Sequence, residues 1–325
     1  MKTVALLRSR FLTHSPFRLV HDVTYKCNCK CIICERWKKS HLSKNELTTG
    51  EIFKMLEDAK KAGIVLYVVE GGEPLLRKDI SNVLRYAKNL GFYTILVTNG
   101  FYLKEKHDEI SPFIDFLVVS IDSHDEVHDK MRGLKGLLKK AIEGIKLYHS
   151  DGIRVSINSV LCKTNKDKVE GLAKLSEKLE APITFQPMDI YRGYNEHLRL
   201  DRSELQTVFS KIIELKKAGY MIANSFSYLE HIANDRKYVC HAPKCFVYVE
   251  PDGNIVSCCD IIDKVWGNVK DTSFKDVFRT QEFKEFCKKV ENCNECSVNA
   301  VVEISLAYSL QPKYVIERLF GLWLP

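Results

Sequence analysis

Four cysteines lie close together near the start of the chain, in an eight-residue segment that reads CNCKCIIC. Three of them have the spacing Cys27-x3-Cys31-x2-Cys34, so their thiolates can reach three irons of one 4Fe–4S cluster. The fourth iron then keeps an open coordination position, which is what a catalytic metal requires. A structural zinc site is the alternative, with Cys29 or His41 as its fourth ligand.

The surrounding sequence alternates between short β-branched runs and amphipathic helical patterns. The runs predict six strands, at Leu19–Tyr25, Ile64–Val69, Tyr93–Val97, Phe116–Ile121, Arg154–Val160 and Ile183–Met188. Helices are predicted at Thr49–Ala62, Ile80–Leu90, Leu134–Tyr148, Lys168–Leu179 and Leu205–Ala218. Thr48, with Glu51 three positions later, predicts a capping box at the start of the first helix. Alternation of this kind implies parallel βαβ units. Six strands are too few for a closed eight-stranded barrel, so we expect an α/β fold with a partial (β/α)6 TIM-like barrel.

Polar residues and glycines follow the predicted strands at their C-terminal ends, where functional residues of parallel α/β folds gather. They are Gly71-Gly72-Glu73-Pro74 after the second strand, Asn99 after the third, Ser120, Asp122 and Arg132 at and beyond the fourth, and Asn158 and Gln186 on the last two. The paired glycines allow a close approach of the backbone to a neighbouring group.

Together, the cysteine spacing, the GGEP turn and the strand-end residues resemble the radical S-adenosylmethionine (SAM) superfamily over about residues 19–190. The resemblance implies that Cys27, Cys31 and Cys34 hold a catalytic 4Fe–4S cluster whose fourth iron is chelated by SAM. Cys29 is extra to the family pattern and is expected to be a bystander.

The same resemblance implies roles for the strand-end residues. The GGEP turn contacts the amino group of SAM, and Arg132 supplies a basic partner for the SAM carboxylate. The remaining polar residues line the SAM site: Asn99, Ser120, Asp122, Asn158 and Gln186. The implied reaction is reductive cleavage of SAM to methionine and a 5′-deoxyadenosyl radical, which removes hydrogen from an unactivated C–H bond. A low-potential electron donor of the ferredoxin or flavodoxin type is implied as well.

A second group of cysteines begins at Cys240, where the sequence loses its long apolar runs and is expected to need a metal to fold. Short strands at Phe246–Glu250 and Ile255–Ser257 flank the turn signal Pro-Asp-Gly-Asn. The arrangement resembles the SPASM and twitch modules in a one-cluster version. It implies an auxiliary 4Fe–4S cluster with the ligands Cys240, Cys258, Cys293 and Cys296.

Two alternatives stay open in this part of the chain. Cys245 competes with Cys240 for the first ligand position, although its spacing from Gly253 is short. A structural zinc knuckle is the other reading. The cysteines Cys245, Cys259 and Cys287 are expected to be core or loop residues.

These patterns divide the chain into four parts. We predict an N-terminal extension over 1–18, the partial barrel over 19–235, the auxiliary-cluster domain over 236–300 and an amphipathic C-terminal helix over 301–325.

Composition and cysteine usage indicate a cytoplasmic protein. There is neither a secretory signal nor an apolar run of about 18 residues. The net charge is +7, so a solvated surface and a basic face for an anionic partner are both compatible with it. We expect no nucleic-acid partner, and we expect the protein to contact a membrane surface peripherally.

Two substrate classes are considered. Peptide modification is common with this C-terminal module, but only 26 residues precede Cys27 and no leader-binding domain is expected in them. A membrane lipid is favoured by apolar residues near both ends of the chain, and those near the start lie beside Arg8 and Arg10. The apolar residues are Val4, Leu7, Phe11, Val315, Ile316, Leu319, Phe320 and Trp323. The expectation is C–C bond formation on alkyl chains of the archaeal tetraether type. Tyr191, Arg192 and Tyr194 are candidate substrate-side residues, and the intact motifs argue against a non-catalytic scaffold.

Overall fold

The computed structural model describes residues 2–188, 194–257, 264–293 and 296–320. Its strands are β1 Arg18–Asp22, β2 Leu66–Glu70, β3 Tyr93–Thr98, β4 Phe116–Ser120, β5 Arg154–Leu161, β6 Ile183–Pro187, β7 Phe246–Val249, β8 Asn254–Val256 and β9 Val265–Asn268. Its helices are α1 Lys2–Arg8, α2 Thr49–Lys61, α3 Ile80–Asn89, α4 Leu103–Ile110, α5 Val127–Arg132, α6 Leu137–Ser150, α7 Val169–Lys178, α8 Arg202–Lys217, α9 Phe226–Asn234, α10 Ala242–Cys245, α11 Phe274–Arg279, α12 Gln281–Lys289, α13 Asn299–Tyr308 and α14 Pro312–Phe320.

One sheet contains these nine strands, in the order β6-β5-β4-β3-β2-β1-β7-β8-β9. The first six strands are parallel, with a helix between each pair, and the sheet does not close on itself. This confirms the prediction of a partial (β/α)6 barrel. β7 continues the parallel order beside β1, and β8 and β9 follow as antiparallel strands. Strands from the cysteine-rich region therefore extend the barrel sheet.

Side chains alternate between the two faces of the sheet, as strand geometry requires. The face that packs on the helices is buried and mostly apolar, as at Leu19, Leu117 and Ile157. The opposite face keeps partial solvent access at Val118 and Asn158, among other positions. The barrel therefore has an open interior, and the strand-end motifs surround its C-terminal mouth.

Helix α2 follows the cysteine loop and fixes where that loop ends. Thr48 and Glu51 form the predicted capping box: the Thr48 side chain accepts from the backbone of Glu51, and the Glu51 carboxylate accepts from the backbone of Thr48. The helix buries Ile52 and Leu56, among others, against the sheet.

The last described segment contains two helices where sequence analysis expects one. Helix α13 is largely buried, and its Glu303 carboxylate accepts a hydrogen bond from Ser225 N at 2.7 Å. Helix α14 packs on α9, where Glu317 accepts from the backbone and hydroxyl of Ser227. Pro312 begins the second helix, because proline suits a first helical position but interrupts a helix interior. Trp323 lies outside the described residues.

Candidate active site

The loop between β1 and α2 presents four thiols. Cys29 and Cys31 are buried, and Cys27 and Cys34 are half-buried. The backbone N–H of Cys29 points at Cys27 Sγ and that of Arg36 points at Cys34 Sγ, each at 3.4 Å. Backbone donors of this kind stabilise thiolate ligands and tune the potential of an iron–sulfur cluster.

Cys29 is more closely involved in this loop than a bystander. The neighbouring thiols of Cys27 and Cys31, together with burial, raise the pKa of its thiol. Asn99 Nδ2 also lies 3.3 Å from Cys29 Sγ.

The donor set of this loop suits an iron–sulfur cluster. Among the residues that the structure describes, no three His, Cys, Asp or Glu side chains are grouped closely enough to hold one metal ion. A 4Fe–4S cluster makes a different demand, because each of its irons takes its own thiolate. Three half-buried or buried cysteines in one loop, with backbone N–H groups directed at two of them, meet that demand.

The segment that ends α5 clamps the cysteine loop from one side. Lys30 N donates to Arg132 O at 3.0 Å, and Ile32 N donates to Met131 O at 2.8 Å. Gly133 follows with a φ of +63°, and a Cβ there would stand 2.9 Å from Lys30 O. Only glycine allows both this conformation and this contact.

The GGEP turn clamps the loop from the other side. Gly72 N donates to Thr24 O at 2.9 Å, and Glu73 N donates to Lys26 O at 2.8 Å. A Cβ on Gly72 would stand 2.2 Å from Lys26 O, and Gly71 has a φ of +132°. These glycines therefore let the backbone of the turn pack closely against the backbone that leads into Cys27.

The Glu73 carboxylate joins this turn to the end of β3. Glu73 is fully buried; Oε1 accepts from Thr98 Oγ1 at 2.7 Å and from Leu75 N at 3.1 Å, and Oε2 accepts from Asn99 N at 2.8 Å. Burial raises its pKa, and the three donors oppose that effect. Asn99 Nδ2 in turn donates to Asn28 Oδ1 at 2.8 Å, which ties β3 to the cysteine loop.

Asp122 and Arg132 form a buried ion pair at the end of β4. Asp122 Oδ2 accepts from Arg132 Nε at 2.7 Å, and Oδ1 accepts from Val160 N at 2.9 Å. No hydrogen bond among the described residues uses the Nη atoms of Arg132, so they are available to an anion. His128 Nδ1 accepts from Asp122 N at 3.1 Å, and burial followed by the charge of Arg132 lowers the pKa of His128 to about 4.

The remaining predicted strand-end residues divide between two places. Ser120 and Asn158 are register partners on β4 and β5, and Asn158 Oδ1 accepts from Thr184 Oγ1 at 3.0 Å. Gln186 Oε1 accepts from Asn299 N at 3.1 Å and so anchors the start of α13. The structure therefore brings Ser120 and Asn158 together at the mouth, and it places Gln186 against the C-terminal helices.

Three of the four cysteines expected around an auxiliary cluster lie near Tyr238. Burial, and after it the thiols of Cys240, Cys296 and Cys293, raise the pKa of Tyr238, and its hydroxyl donates to Cys296 O at 3.4 Å. Cys258 lies outside the described residues. Cys245 is fully buried, which raises the pKa of its thiol, and Arg18 and Lys244 are its charged neighbours.

Sequence reasoning missed a pair of charged residues that holds the approach to the cysteine loop. Glu46 Oε1 accepts from Thr24 Oγ1 and from Tyr25 N, each at 2.8 Å. Arg77 Nη1 donates to Val23 O at 3.0 Å, and Nη2 donates to Leu47 O at 2.8 Å. Only their positions in the sequence could have indicated this role, since Arg77 follows the GGEP turn and Glu46 precedes the helix cap.

The cysteine-rich region contacts the segment that follows the catalytic loop. Leu47 N donates to Pro251 O at 2.7 Å, in the turn between β7 and β8. Beyond β6, Asn195 Nδ2 donates to Ile32 O at 2.5 Å, and the Tyr194 ring lies under Lys38 Nζ at 4.0 Å. Tyr191 and Arg192, the other candidate substrate-side residues, lie outside the described residues.

Residues 22–176 match the family described as the Radical SAM superfamily. The chain therefore contains a radical SAM domain. Residues 186–317 match a second family, described as a domain of unknown function (DUF3463). Radical SAM enzymes use a 4Fe–4S cluster and SAM, so the predictions of an enzyme and of these cofactors are confirmed.

Two proteins of Methanosarcina barkeri are similar to this chain. An Fe-coproporphyrin III synthase is 28% identical over 214 residues, which cover 62% of this chain and 53% of the relative. An AdoMet-dependent heme synthase is 29% identical over 173 residues, which cover 52% of this chain and 50% of the relative. The chain thus spans about half the length of these curated relatives.

Two solved structures share the fold. SuiB of Streptococcus suis, bound to its precursor peptide SuiA, is 18% identical with a TM-score of 0.71, covering 96% of this chain and 77% of SuiB. The enzyme anSMEcpe with bound AdoMet is 18% identical with a TM-score of 0.65, covering 92% of this chain and 98% of that enzyme.

Proposed function

We propose that this protein removes a hydrogen atom from an unactivated C–H bond of a substrate held at the mouth of the partial barrel. The observation that carries this proposal is the loop of Cys27, Cys31 and Cys34, which is clamped between the GGEP turn and α5 where the parallel strands end. These three cysteines hold the catalytic cluster. When bound there, the cluster and SAM supply a 5′-deoxyadenosyl radical.

The strand-end residues provide the contacts to SAM in this proposal. Arg132 offers its Nη atoms to the SAM carboxylate, while Asp122 holds the guanidinium in place through Nε. An ionised carboxylate has about four acceptor sites, and Glu73 uses three, so one remains for the SAM ammonium. Gly71, Gly72 and Pro74 shape the turn, and the mouth is lined by Asn99, Ser120 and Asn158. Gln186, the remaining residue expected at the SAM site, supports this region from the start of α13.

Cys240, Cys258, Cys293 and Cys296 hold the auxiliary cluster in this proposal. Support comes from Tyr238, which lies beside the three of these cysteines that the structure describes. Cys240 is favoured over Cys245 as the first ligand, because Tyr238 has Cys240, Cys293 and Cys296 as its thiol neighbours.

For the substrate, we infer an alkyl chain of a membrane lipid. The first twelve residues expose Val4, Leu7, Phe11 and Leu12, which are 68%, 39%, 60% and 77% accessible. Arg8 is exposed among them. Contiguous exposed apolar residues beside basic ones are typical of a helix that lies in a membrane interface.

Beneath this apolar face lies a cavity of about 250 Å³, lined largely by apolar groups from α1 and the starts of β1 and β2, such as Ala5, Phe17 and Val65. No helix in the described part of the chain is long and apolar enough to cross a membrane. Formation of a C–C bond between tetraether-type alkyl chains remains our proposal for the fate of the substrate radical.

The second candidate substrate is a tetrapyrrole, favoured by the names of the two Methanosarcina relatives. Peptide modification, the alternative from the sequence, is supported by the fold, which is shared with the peptide-bound structures of SuiB and anSMEcpe.

Anaerobic iron analysis and EPR test the cluster part of this proposal. Reconstituted wild type should bind about eight irons, and Cys27→Ala/Cys31→Ala/Cys34→Ala should retain about four. SAM should change the EPR signal of the wild type and leave that of the variant unchanged. A wild type that binds only about four irons, all lost in the variant, contradicts the two-cluster proposal.

Isotope transfer tests the substrate. The protein is incubated with SAM, reductant and vesicles of an ether lipid deuterated in its alkyl chains, and deuterium is sought in 5′-deoxyadenosine. Phe11→Glu/Leu12→Glu should abolish transfer and vesicle flotation, and Val265→Glu, at an exposed apolar position elsewhere, should leave both intact. Transfer from a deuterated iron-coproporphyrin or peptide in place of the lipid would refute the lipid assignment.

A further inference from the structure

We propose that residues 26–45 form the docking surface for an acidic electron-donor protein, an inference that rests on the proposed cluster at Cys27, Cys31 and Cys34. This segment holds six Lys or Arg residues and one acidic residue, Glu35. Its net charge is +5, out of +7 for the whole chain. We call its five exposed lysines the basic rim: Lys26, Lys30, Lys38, Lys39 and Lys44.

The basic rim is built on the backbone that carries the thiols. Lys26 and Lys30 directly precede Cys27 and Cys31. The other three lysines lie on a 3-10 helix, Arg36–Asn45, that starts just after Cys34 and buries none of its residues. A donor that binds these lysines therefore contacts the same segment of chain that holds the catalytic cysteines.

The lysines of the basic rim have few acidic neighbours; one is Glu250, whose pKa the charge of Lys39 lowers against the larger effect of burial. No ion pair among the described residues involves any of its five lysines, whereas Arg36, in the same segment, pairs with Asp22. Lys38 Nζ instead lies over the Tyr194 ring at 4.0 Å. Clustered like charges repel one another, and a complementary acidic surface relieves that repulsion while steering association.

A membrane surface is the competing anionic partner, and two observations disfavour it. No large hydrophobic side chain is exposed within the rim segment, although interfacial binding needs apolar insertion as well as charge. The apolar α1 face also lies near Phe17, before β1, whereas the rim follows the other end of that strand. Small polar contacts governed by charge are typical of electron-transfer partners.

The reaction at this surface is a one-electron transfer. A reduced flavodoxin is oxidised by one electron, the catalytic cluster is reduced by one, and no atom is exchanged. The rim lysines hold the donor in place and take no part in the chemistry with SAM. Reduction by dithionite, a small molecule, should therefore not depend on them.

The test compares Lys38→Glu/Lys39→Glu/Lys44→Glu with a control that carries the same charge change elsewhere, Lys178→Glu/Lys217→Glu/Lys284→Glu, at exposed positions. At low ionic strength the rim variant should lose at least about tenfold in the rate of cluster reduction by reduced flavodoxin. Its Kd for oxidised flavodoxin, measured calorimetrically, should rise by a similar factor. Added salt should slow the wild type and leave the rim variant nearly unchanged.

Dithionite separates failure of this inference from failure of the proposed function. All three proteins should cleave SAM equally with dithionite. Unchanged reduction by flavodoxin in the rim variant overturns the docking surface, as does a loss confined to vesicle binding. If the wild type binds no catalytic cluster, the proposed function fails, and the Kd for oxidised flavodoxin still tests whether the rim binds the donor.

Discussion

Arg132 Nε donates to the Asp122 carboxylate at 2.7 Å, and the two side chains are only 10% and 0% exposed. The same arginine accepts a hydrogen bond from Lys30 N through its carbonyl oxygen. One residue thus links a buried ion pair at the end of β4 to the loop that holds the thiols. Loss of either side chain of the pair should disturb both the stability of the fold and the geometry of the loop.

The first prediction concerns Asp122→Asn. This change leaves the buried charge of Arg132 without a partner, so the free energy of unfolding should fall by about 3–5 kcal/mol. Anaerobic urea titration measures the loss, and iron analysis should show less catalytic cluster. The control is Glu126→Gln, which breaks the exposed Lys130–Glu126 pair and should cost at most about 1 kcal/mol. Equal effects of the two substitutions would contradict the role given to the buried pair.

The second prediction is a pH dependence that originates at His128. Its pKa is about 4 in the folded protein, against 6.5 for an ordinary histidine, because burial and then Arg132 disfavour the charged form. Between these values the unfolded chain binds a proton that the folded chain does not. Stability is therefore fully present above pH 6.5 and is lost as the pH falls toward 4, by up to about 3 kcal/mol.

His128→Asn isolates this effect, because the asparagine side chain also offers an acceptor to Asp122 N but does not titrate. Urea midpoints of wild type and variant are compared at neutral pH and at about pH 5. The wild type should lose more stability on acidification than the variant does. Identical losses would show that other groups, such as His21 and His241, whose pKa values are also lowered, account for the acid sensitivity.

Sequence predicted the barrel well, because its strands and long helices carry strong hydrophobic periodicity. The predicted capping box at Thr48 and Glu51 is present, and the strand limits agree to within a few residues. Helices α4 and α5 were not predicted, because they are short and mostly polar. The third strand of the C-terminal region, β9, was missed because Val265–Asn268 contains a glycine and an asparagine and lacks alternation.

The candidate site was predicted as a set of residues, but its connections were not. Spacing identifies Cys27 and Arg132, yet it cannot show that the carbonyl of Arg132 accepts from Lys30 N. That contact depends on the left-handed conformation of Gly133 and on tertiary packing. Glu46 and Arg77 escaped prediction for the same reason, since their acceptors and donors are backbone groups distant in sequence.

The third prediction concerns the contact of the GGEP turn with the cysteine loop. Gly72→Ala places a Cβ 2.2 Å from Lys26 O, a backbone atom that cannot move without displacing Cys27. The free energy of unfolding should fall by about 3 kcal/mol or more, and iron should be lost from the catalytic site. The control is Gly50→Ala, where a Cβ meets nothing within 4 Å. A Gly72→Ala protein with full iron content and wild-type stability would refute the clamp.

The fourth prediction separates the two candidates for the first auxiliary ligand. Cys240→Ser should lower the iron content from about eight to about four, because a serine hydroxyl is a poor replacement for a thiolate ligand. Cys245→Ser should leave the iron content unchanged, since its spacing from Gly253 is short for a ligand and it is Cys240 that shares Tyr238 as a neighbour with Cys293 and Cys296. The Cys245→Ser substitution should still lower the free energy of unfolding, because it buries a hydroxyl in place of a weakly polar thiol. Iron loss in Cys245→Ser with retention in Cys240→Ser would reverse the assignment, and retention in both would show that neither thiol is needed to hold the auxiliary cluster.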